Sequence, residues 1–350
     1  MHYLIFGAGA VGSYLGTRLA LSGQQITFLS RSSVATAWRE KGLHLVSKTH
    51  EEILDAPYVI DQLGQILPNP QPDLILLTVK TYDVEFAAKQ IQQFFPSSTP
   101  IVCFTNGVGS EELLSKILKS HLIIPATLTT AVQRSQDGVI YIERERGIGI
   151  ASTSPIVPSL VRDFKMANLI VRMYPDAGRM KWSKLLVNIV SNASSAILGW
   201  SPRQIFQHQQ LHRIEVEALR ETVRVMRKMK LKPQNLPGVP VSLLSNGIFL
   251  PPWMTQGILG RIVATGRGDK LPSFHFDIGR GCSEIYLLNG SVVKAGEQIG
   301  LATPTNRFLL DTMTVLVENA AEHEALRNQP EELIKRAINA GVPGIRGYNP

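Results

Sequence analysis

Between Lys181 and Gly199 the polar positions follow a helical repeat. Lys184, Asn188 and Asn192 recur every four residues, and Ser191 and Ser195 fall in phase with them. A helix over this stretch would project all five along one narrow stripe. The remaining circumference is Leu185, Leu186, Val187, Ile189, Val190, Ala193, Ala196, Ile197 and Leu198, the pattern of a helix buried nearly all round. An ammonium and two amides in such a setting need partners, because each costs roughly a few kcal/mol when left unsatisfied. The stripe therefore predicts either a polar crevice that takes a ligand or a hydrogen-bond network inside a helical core.

The first half of the chain has a different rhythm. Short apolar runs, Tyr3–Phe6, Gln25–Leu29, Asp73–Val79, Pro100–Phe104 and Thr127–Val132, alternate with helical patterns. Runs that are apolar on both faces predict parallel strands covered on both sides. Asp176-Ala-Gly178, after Pro175, marks a passage into a region of long helices. The expected fold is α/β: a Rossmann-type parallel-sheet domain over residues 1–175, then an all-helical domain over 176–350. The proline- and glycine-rich stretch Ser242–Leu271, with Trp253 and Arg267-Gly-Asp-Lys270, reads as a connector between helices.

The first strand runs directly into Gly7-Ala8-Gly9-Ala10-Val11-Gly12 and a helix to about Leu21. Strand, GxGxxG and helix in succession are the setting of a dinucleotide-binding turn. In it Gly7 permits the tight turn, Gly9 admits a pyrophosphate to the backbone, and Gly12 lets the helix lie close to the strand. The second strand ends in Ser30-Arg31-Ser32-Ser33, where an acid would hold a ribose diol. An arginine with hydroxyl neighbours suits a 2′-phosphate, so NADPH is the predicted cofactor, although Arg31 also reads as a surface residue after a strand. Lys80 and Asn106 follow the strands Asp73–Val79 and Pro100–Phe104, at the carboxyl ends where ligands of open α/β sheets bind. Asn106-Gly107 also reads as a plain turn, and Lys80 as a solvated side chain.

At 350 residues the chain is long enough for two domains. Its net charge of +8 suits anionic small ligands, but the basic residues are spread out. The densest cluster, Arg224–Lys232, closes a predicted long helix, where cations meet the helix dipole, so nucleic-acid binding is not expected. No apolar run approaches the ~20 residues of a membrane helix, and no leader segment is visible. Cys103 and Cys282 have no ligand-like spacing, which fits a reducing cytoplasm. His208 and His212 stand one turn apart without a third ligand, so they read as solvent-facing and no metal is expected.

Several of these motifs are shared with one family. The chain resembles the ketopantoate reductases (2-dehydropantoate 2-reductases) over nearly its whole length. The matching stretches are Gly7–Gly12, Thr78-Val-Lys80, Thr105-Asn-Gly107, Lys181–Asn188 with Asn192, Leu271-Pro-Ser273 with Asp277, and Ser283-Glu-Ile285 with Asn289-Gly290. The resemblance implies NADPH-dependent reduction of the C2 ketone of ketopantoate to pantoate, a step of pantothenate and coenzyme A biosynthesis. It implies Lys184 as proton donor, Asn106, Asn188, Asn192 and Ser273 as substrate contacts, and Glu284 as a cofactor contact. Lys181 reads as solvated near the helix start. Ala193-Ser194-Ser195 replaces the proline, large apolar residue and threonine usual after the second asparagine, a departure that touches substrate choice. Reduction of another branched 2-oxo acid, and a non-catalytic NADPH-sensing protein, remain open alternatives, as does a homodimer.

Overall fold

The computed structural model describes residues 1–66, 70–251, 254–257, 259 and 272–345. The chain divides into two compact units, Met1–Lys181 with Leu236–Val239, and Trp182–Asn235 with Pro240–Pro350.

The strands of the first unit are β1 (His2–Phe6), β2 (Gln25–Leu29), β3 (Leu43–Val46), β4 (Glu51–Leu54), β5 (Val59–Ile60), β6 (Leu74–Leu77), β7 (Ile101–Cys103), β8 (Ile123–Leu128), β9 (Ala131–Arg134), β10 (Ile140–Arg144), β11 (Ile148–Ala151) and β12 (Val171–Tyr174). The main sheet runs β12-β11-β8-β7-β6-β1-β2-β5. Its pairings are parallel except β8 with β11. β1 lies between β6 and β2, with Phe6 beside Leu29 on one side and Leu77 on the other.

Both faces of this sheet are covered, which is why its strands are continuously apolar. Tyr3, Ile5, Leu74 and Leu76 enter one hydrophobic cluster, while Leu4, Phe6, Ile75 and Leu77 enter a second. That division follows the two-residue period of a strand. The helices α1 (Ala10–Leu21), α2 (Ser32–Lys41), α3 (Val84–Phe94), α4 (Ser110–Ile117) and α5 (Val157–Met166) accompany the strands.

Two features depart from the sequence reading. A second sheet, in the order β4-β3-β10-β9, stands beside the main one. The strand expected over Thr127–Val132 is divided between β8 and β9 at Thr129-Thr130. Their hydroxyls explain the break: Thr129 Oγ1 donates to the carbonyls of Gly147 and Pro237, and Thr130 Oγ1 accepts from the amides of Arg146 and Gly147. Side chains there take over bonds that a strand ladder would make.

The helix α6 (Ala177–Ile189) carries the chain from the first unit into the second. Asp176 starts it, its Oδ1 accepting from the amide of Arg179 at 2.8 Å, as a capping acid does. The second unit contains α7 (Asn192–Leu198), α8 (Pro202–Gln207), α9 (Gln209–Lys228), α10 (Val241–Gly247), α11 (Asn289–Gln298), α12 (Pro304–Glu318) and α13 (Pro330–Asn339). A buried carboxylate ties α9 to α12: Glu221 accepts from the amides of Thr305 and Asn306 and from Asn306 Nδ2. Burial pushes its pKa up, against those hydrogen bonds. Asn289 joins the same network through Asn306 Oδ1, so this asparagine of the Asn289-Gly290 motif is held in the helical core.

Trp253 and Arg267–Lys270 lie outside the described residues. Among the described residues no helix is long and apolar enough to cross a membrane.

Candidate active site

In the first unit the glycine loop has the geometry its spacing calls for. Gly7 has φ +96°, and a Cβ there would meet Val79 Cγ1 at 2.6 Å. A Cβ on Gly12 would lie 2.4 Å from Thr78 Oγ1 and 2.7 Å from the Gly7 carbonyl, so α1 can sit this close to β6 only as glycine. Thr78 fastens the turn by donating to the carbonyl of Gly7 at 2.8 Å. At Gly9, by contrast, a Cβ would meet nothing nearer than 4.0 Å. Gly9 is also the N-cap of α1 and supplies no side-chain cap, and the first turn carries no acid. The backbone there is open on the side where a phosphate would approach, between Ala8, Ala10 and Val11.

Cations stand beside this loop. Arg31, exposed at the start of α2, and Lys80, exposed after β6, both act on the carboxyl of Asp83, which burial pushes up and the two cations hold down. Arg134, half-buried at the end of β9, donates Nη1 to the carbonyl of Ala8 at 3.3 Å. Nothing in its sequence context distinguished it, because it reaches the loop from a strand 126 residues away.

Asn106 follows β7 and is half-buried, with Gly107 at φ +74° and Gly109 at φ +112°. Its loop is anchored by a residue that reads as solvated in the sequence. Lys181 is 5% exposed. Its Nζ donates to the Thr105 carbonyl at 2.7 Å and forms an ion pair with Glu111 at 2.8 Å. Burial, the largest single effect, lowers this ammonium's pKa, but Glu111, Cys103 and Glu112 together hold the group above its ordinary value. The expectation of a solvated Lys181 is therefore overturned.

Lys184 and Asn188 lie one turn apart on the half-buried face of α6, among the buried Leu185, Leu186 and Ile189. The predicted continuous helix ends there. α6 stops at Ile189, Ser191 adopts the left-handed conformation (φ 53°), and α7 begins at Asn192. The cause is Glu215 on α9, 1% exposed, which accepts from the Ser191 amide at 2.6 Å and from Ser194 Oγ at 2.5 Å. A carboxylate at a helix start is favoured by the dipole and by the orphan amides, which offsets the roughly 1–2 kcal/mol of a left-handed non-glycine residue. Ser191 and Ser195 are fully buried and bond to each other at 2.9 Å, so the structural reading holds for them. Asn192 differs: it is 5% exposed, and its Oδ1 has no hydrogen-bond partner among the described residues.

The other motif residues of this unit lie on two short turns. Ser273 is exposed at the start of the turn Ser273–Asp277, which packs against α7. Glu284 is 3% exposed and opens the turn Glu284–Leu287. Ser283 links the two, donating to Asp277 Oδ2 at 2.7 Å and accepting from the Ile285 amide. Among the described residues no group of His, Cys, Asp and Glu could hold a metal ion. His208 caps α9 through Nδ1, and His212 is 2% exposed rather than solvent-facing.

Residues 3–154 match the sequence profile of ketopantoate reductase PanE/ApbA, and residues 176–317 that of its C-terminal domain. The chain belongs to the ketopantoate reductase family. It is an oxidoreductase of that family. It is 26% identical over 316 residues to the 2-dehydropantoate 2-reductase of Pyrococcus horikoshii, covering 89% of this chain and 95% of that one. The fold is shared with the PanE/ApbA family ketopantoate reductase of Ralstonia eutropha JMP134, at TM-score 0.77 and 22% identity over 93% of this chain and all of that one. It is also shared with D-mandelate dehydrogenase, solved with NADH and anilino(oxo)acetate, at TM-score 0.75 and 21% identity over 93% and 99%.

Within Ala193-Ser194-Ser195 the two serines serve the helix break. Ser194 and Ser195 are fully buried and Ala193 is 1% exposed. Ser194 bonds to Glu215 and Ser195 to Ser191.

Proposed function

We propose that this chain is an NADPH-dependent 2-dehydropantoate 2-reductase, reducing ketopantoate to pantoate in pantothenate and coenzyme A biosynthesis. The observation that carries the reading is Asn192: a buried amide oxygen without a partner among the described residues, at the start of the helix that follows Lys184 and Asn188. A substrate hydroxyl or protonated group can satisfy that atom. The open backbone at Gly9 and the cations Arg31 and Lys80 support a phosphorylated dinucleotide on the loop Gly7–Gly12.

When bound, the nicotinamide supplies the hydride for the C2 ketone. Charge then develops on the ketone oxygen. Lys184 is assigned to stabilise that charge and deliver the proton from Nζ. Asn106, Asn188, Asn192 and Ser273 are assigned to bind the substrate and fix its orientation, contributing contacts that are not consumed in the reaction. Glu284, on its pinned turn, is assigned to the cofactor. Domain limits near residue 175 follow the same reading.

A second reading has support: the shared fold with D-mandelate dehydrogenase and the Ala193-Ser194-Ser195 departure favour a reductase of another branched 2-oxo acid. Initial rates of NADPH and NADH oxidation with ketopantoate and a panel of branched and aromatic 2-oxo acids separate the two. Ketopantoate with NADPH is expected to give the highest kcat/KM. A higher value for another acid favours the second reading, and turnover of none favours an NADPH-sensing protein.

A further inference from the structure

Arg134 has no part in the proposed reaction. It is a half-buried cation at the edge of the second sheet, and it has no carboxylate within ion-pair distance among the described residues. It donates to a neutral carbonyl, that of Ala8 in the glycine loop. Burial lowers its pKa, and the field of Arg31 lowers it further, so the two guanidinium groups lie within reach of one another's charge. Arg31 acts on the Asp83 carboxyl through its field, and among the described residues it has no ion pair within contact distance. The Ala8 amide donates to the carbonyl of Leu29, which places this part of the loop against the end of β2, two residues before Arg31.

We propose that Arg134 is a ligand of the cofactor's 2′-phosphate, acting with Arg31 as a pair of guanidinium groups on a single phosphomonoester. The inference rests on the NADPH reading and adds to it a specificity-determining residue from outside the Rossmann sheet. The chemistry favours the 2′-phosphate over the pyrophosphate. A phosphomonoester carries about −1.5 to −2 charge at neutral pH, enough to neutralise two cations that would otherwise repel. The end of the second strand is also where the ribose 2′ position lies in this fold class. Planar forks that present several N–H donors bind such a group with directed, charge-assisted bonds.

The test is equilibrium binding of NADPH, NADH, adenosine 2′,5′-bisphosphate and adenosine 5′-diphosphate to wild type, Arg134→Ala, Arg134→Lys and Arg31→Ala. Arg134→Ala is expected to weaken NADPH and the 2′,5′-bisphosphate by about 10- to 100-fold, the range of a charge-assisted hydrogen bond. NADH and the 5′-diphosphate should bind as before, the melting temperature should stay at the wild-type value, and Arg134→Lys should recover part of the loss. Losses of equal size for all four ligands, or no loss for any, would overturn the assignment. A wild type that does not prefer the 2′-phosphorylated ligands would refute the NADPH reading itself. A preference that depends on Arg31 and survives Arg134→Ala would refute the role of Arg134 alone.

Discussion

Replacing Lys181 by methionine removes the buried cation beneath the Asn106 loop while keeping much of the side chain's volume. Glu111, 13% exposed at its side chain, then loses its ion pair, and the Thr105 carbonyl loses its Lys181 donor. Removing one partner of a buried ion pair costs about 3–5 kcal/mol, mainly because the other charge is left without compensation. For a unit of this size each kcal/mol lowers the melting temperature by roughly 2–4 °C, so a drop of about 6–20 °C is expected by scanning calorimetry. The double variant Lys181→Met/Glu111→Gln should recover about 1–3 kcal/mol of that loss, as contacting residues do. The ion pair also sets a pH dependence. The Lys181 pKa is raised in the folded protein, so its contribution is complete below the ordinary value of 10.5 and is lost as pH rises beyond it. A Lys181→Met protein within about 0.5 kcal/mol of wild type would show surface behaviour and refute the reasoning.

His212 gives the opposite pH signature in the second unit. Burial depresses its pKa to about 4, so its stabilising contribution is complete above the ordinary value of 6.5 and is lost as pH falls toward 4, up to about 3 kcal/mol. Denaturant titrations at pH 7 and pH 4.5 should show a smaller acid loss in His212→Leu than in wild type; equal losses would remove His212 from the explanation. Ser273→Ala should raise KM for the 2-oxo acid with little change in kcat, because a substrate hydrogen bond made in both ground and transition states acts on binding. A kcat defect at unchanged KM would move Ser273 to another role.

What could be read in the sequence were features that local spacing or composition announces. The turn Gly7–Gly12 needs glycine for reasons set by its own backbone and its two neighbouring strands, and the strand, loop and helix stand where the spacing puts them. The apolar runs of β1 and β6 signal double coverage by composition alone. The misreadings share one physical origin, a partner far away in the chain. Glu215 breaks the stripe helix from 24 residues beyond Ser191, and periodicity within 181–199 carries no trace of it. Thr105 holds Lys181 from a distance of 76 residues, so a lysine near a helix start read as solvated. Arg134 reaches Ala8 across 126 residues from a sheet that the alternation did not announce. Periodicity shows which face of an element is buried; it does not show what lies opposite.

The central assignment is Lys184 as the proton donor, and steady-state kinetics of Lys184→Ala with NADPH and ketopantoate test it most directly. Positioned acid catalysis contributes typically 10²–10⁴-fold, so kcat should fall by about that factor while NADPH affinity and melting temperature stay near the wild-type values. The wild-type reduction rate should also fall at high pH, since the acid must be protonated to act. A Lys184→Ala enzyme with wild-type kcat, or one whose only defect is a loss of folding, would contradict the assignment and return this helix to a structural role.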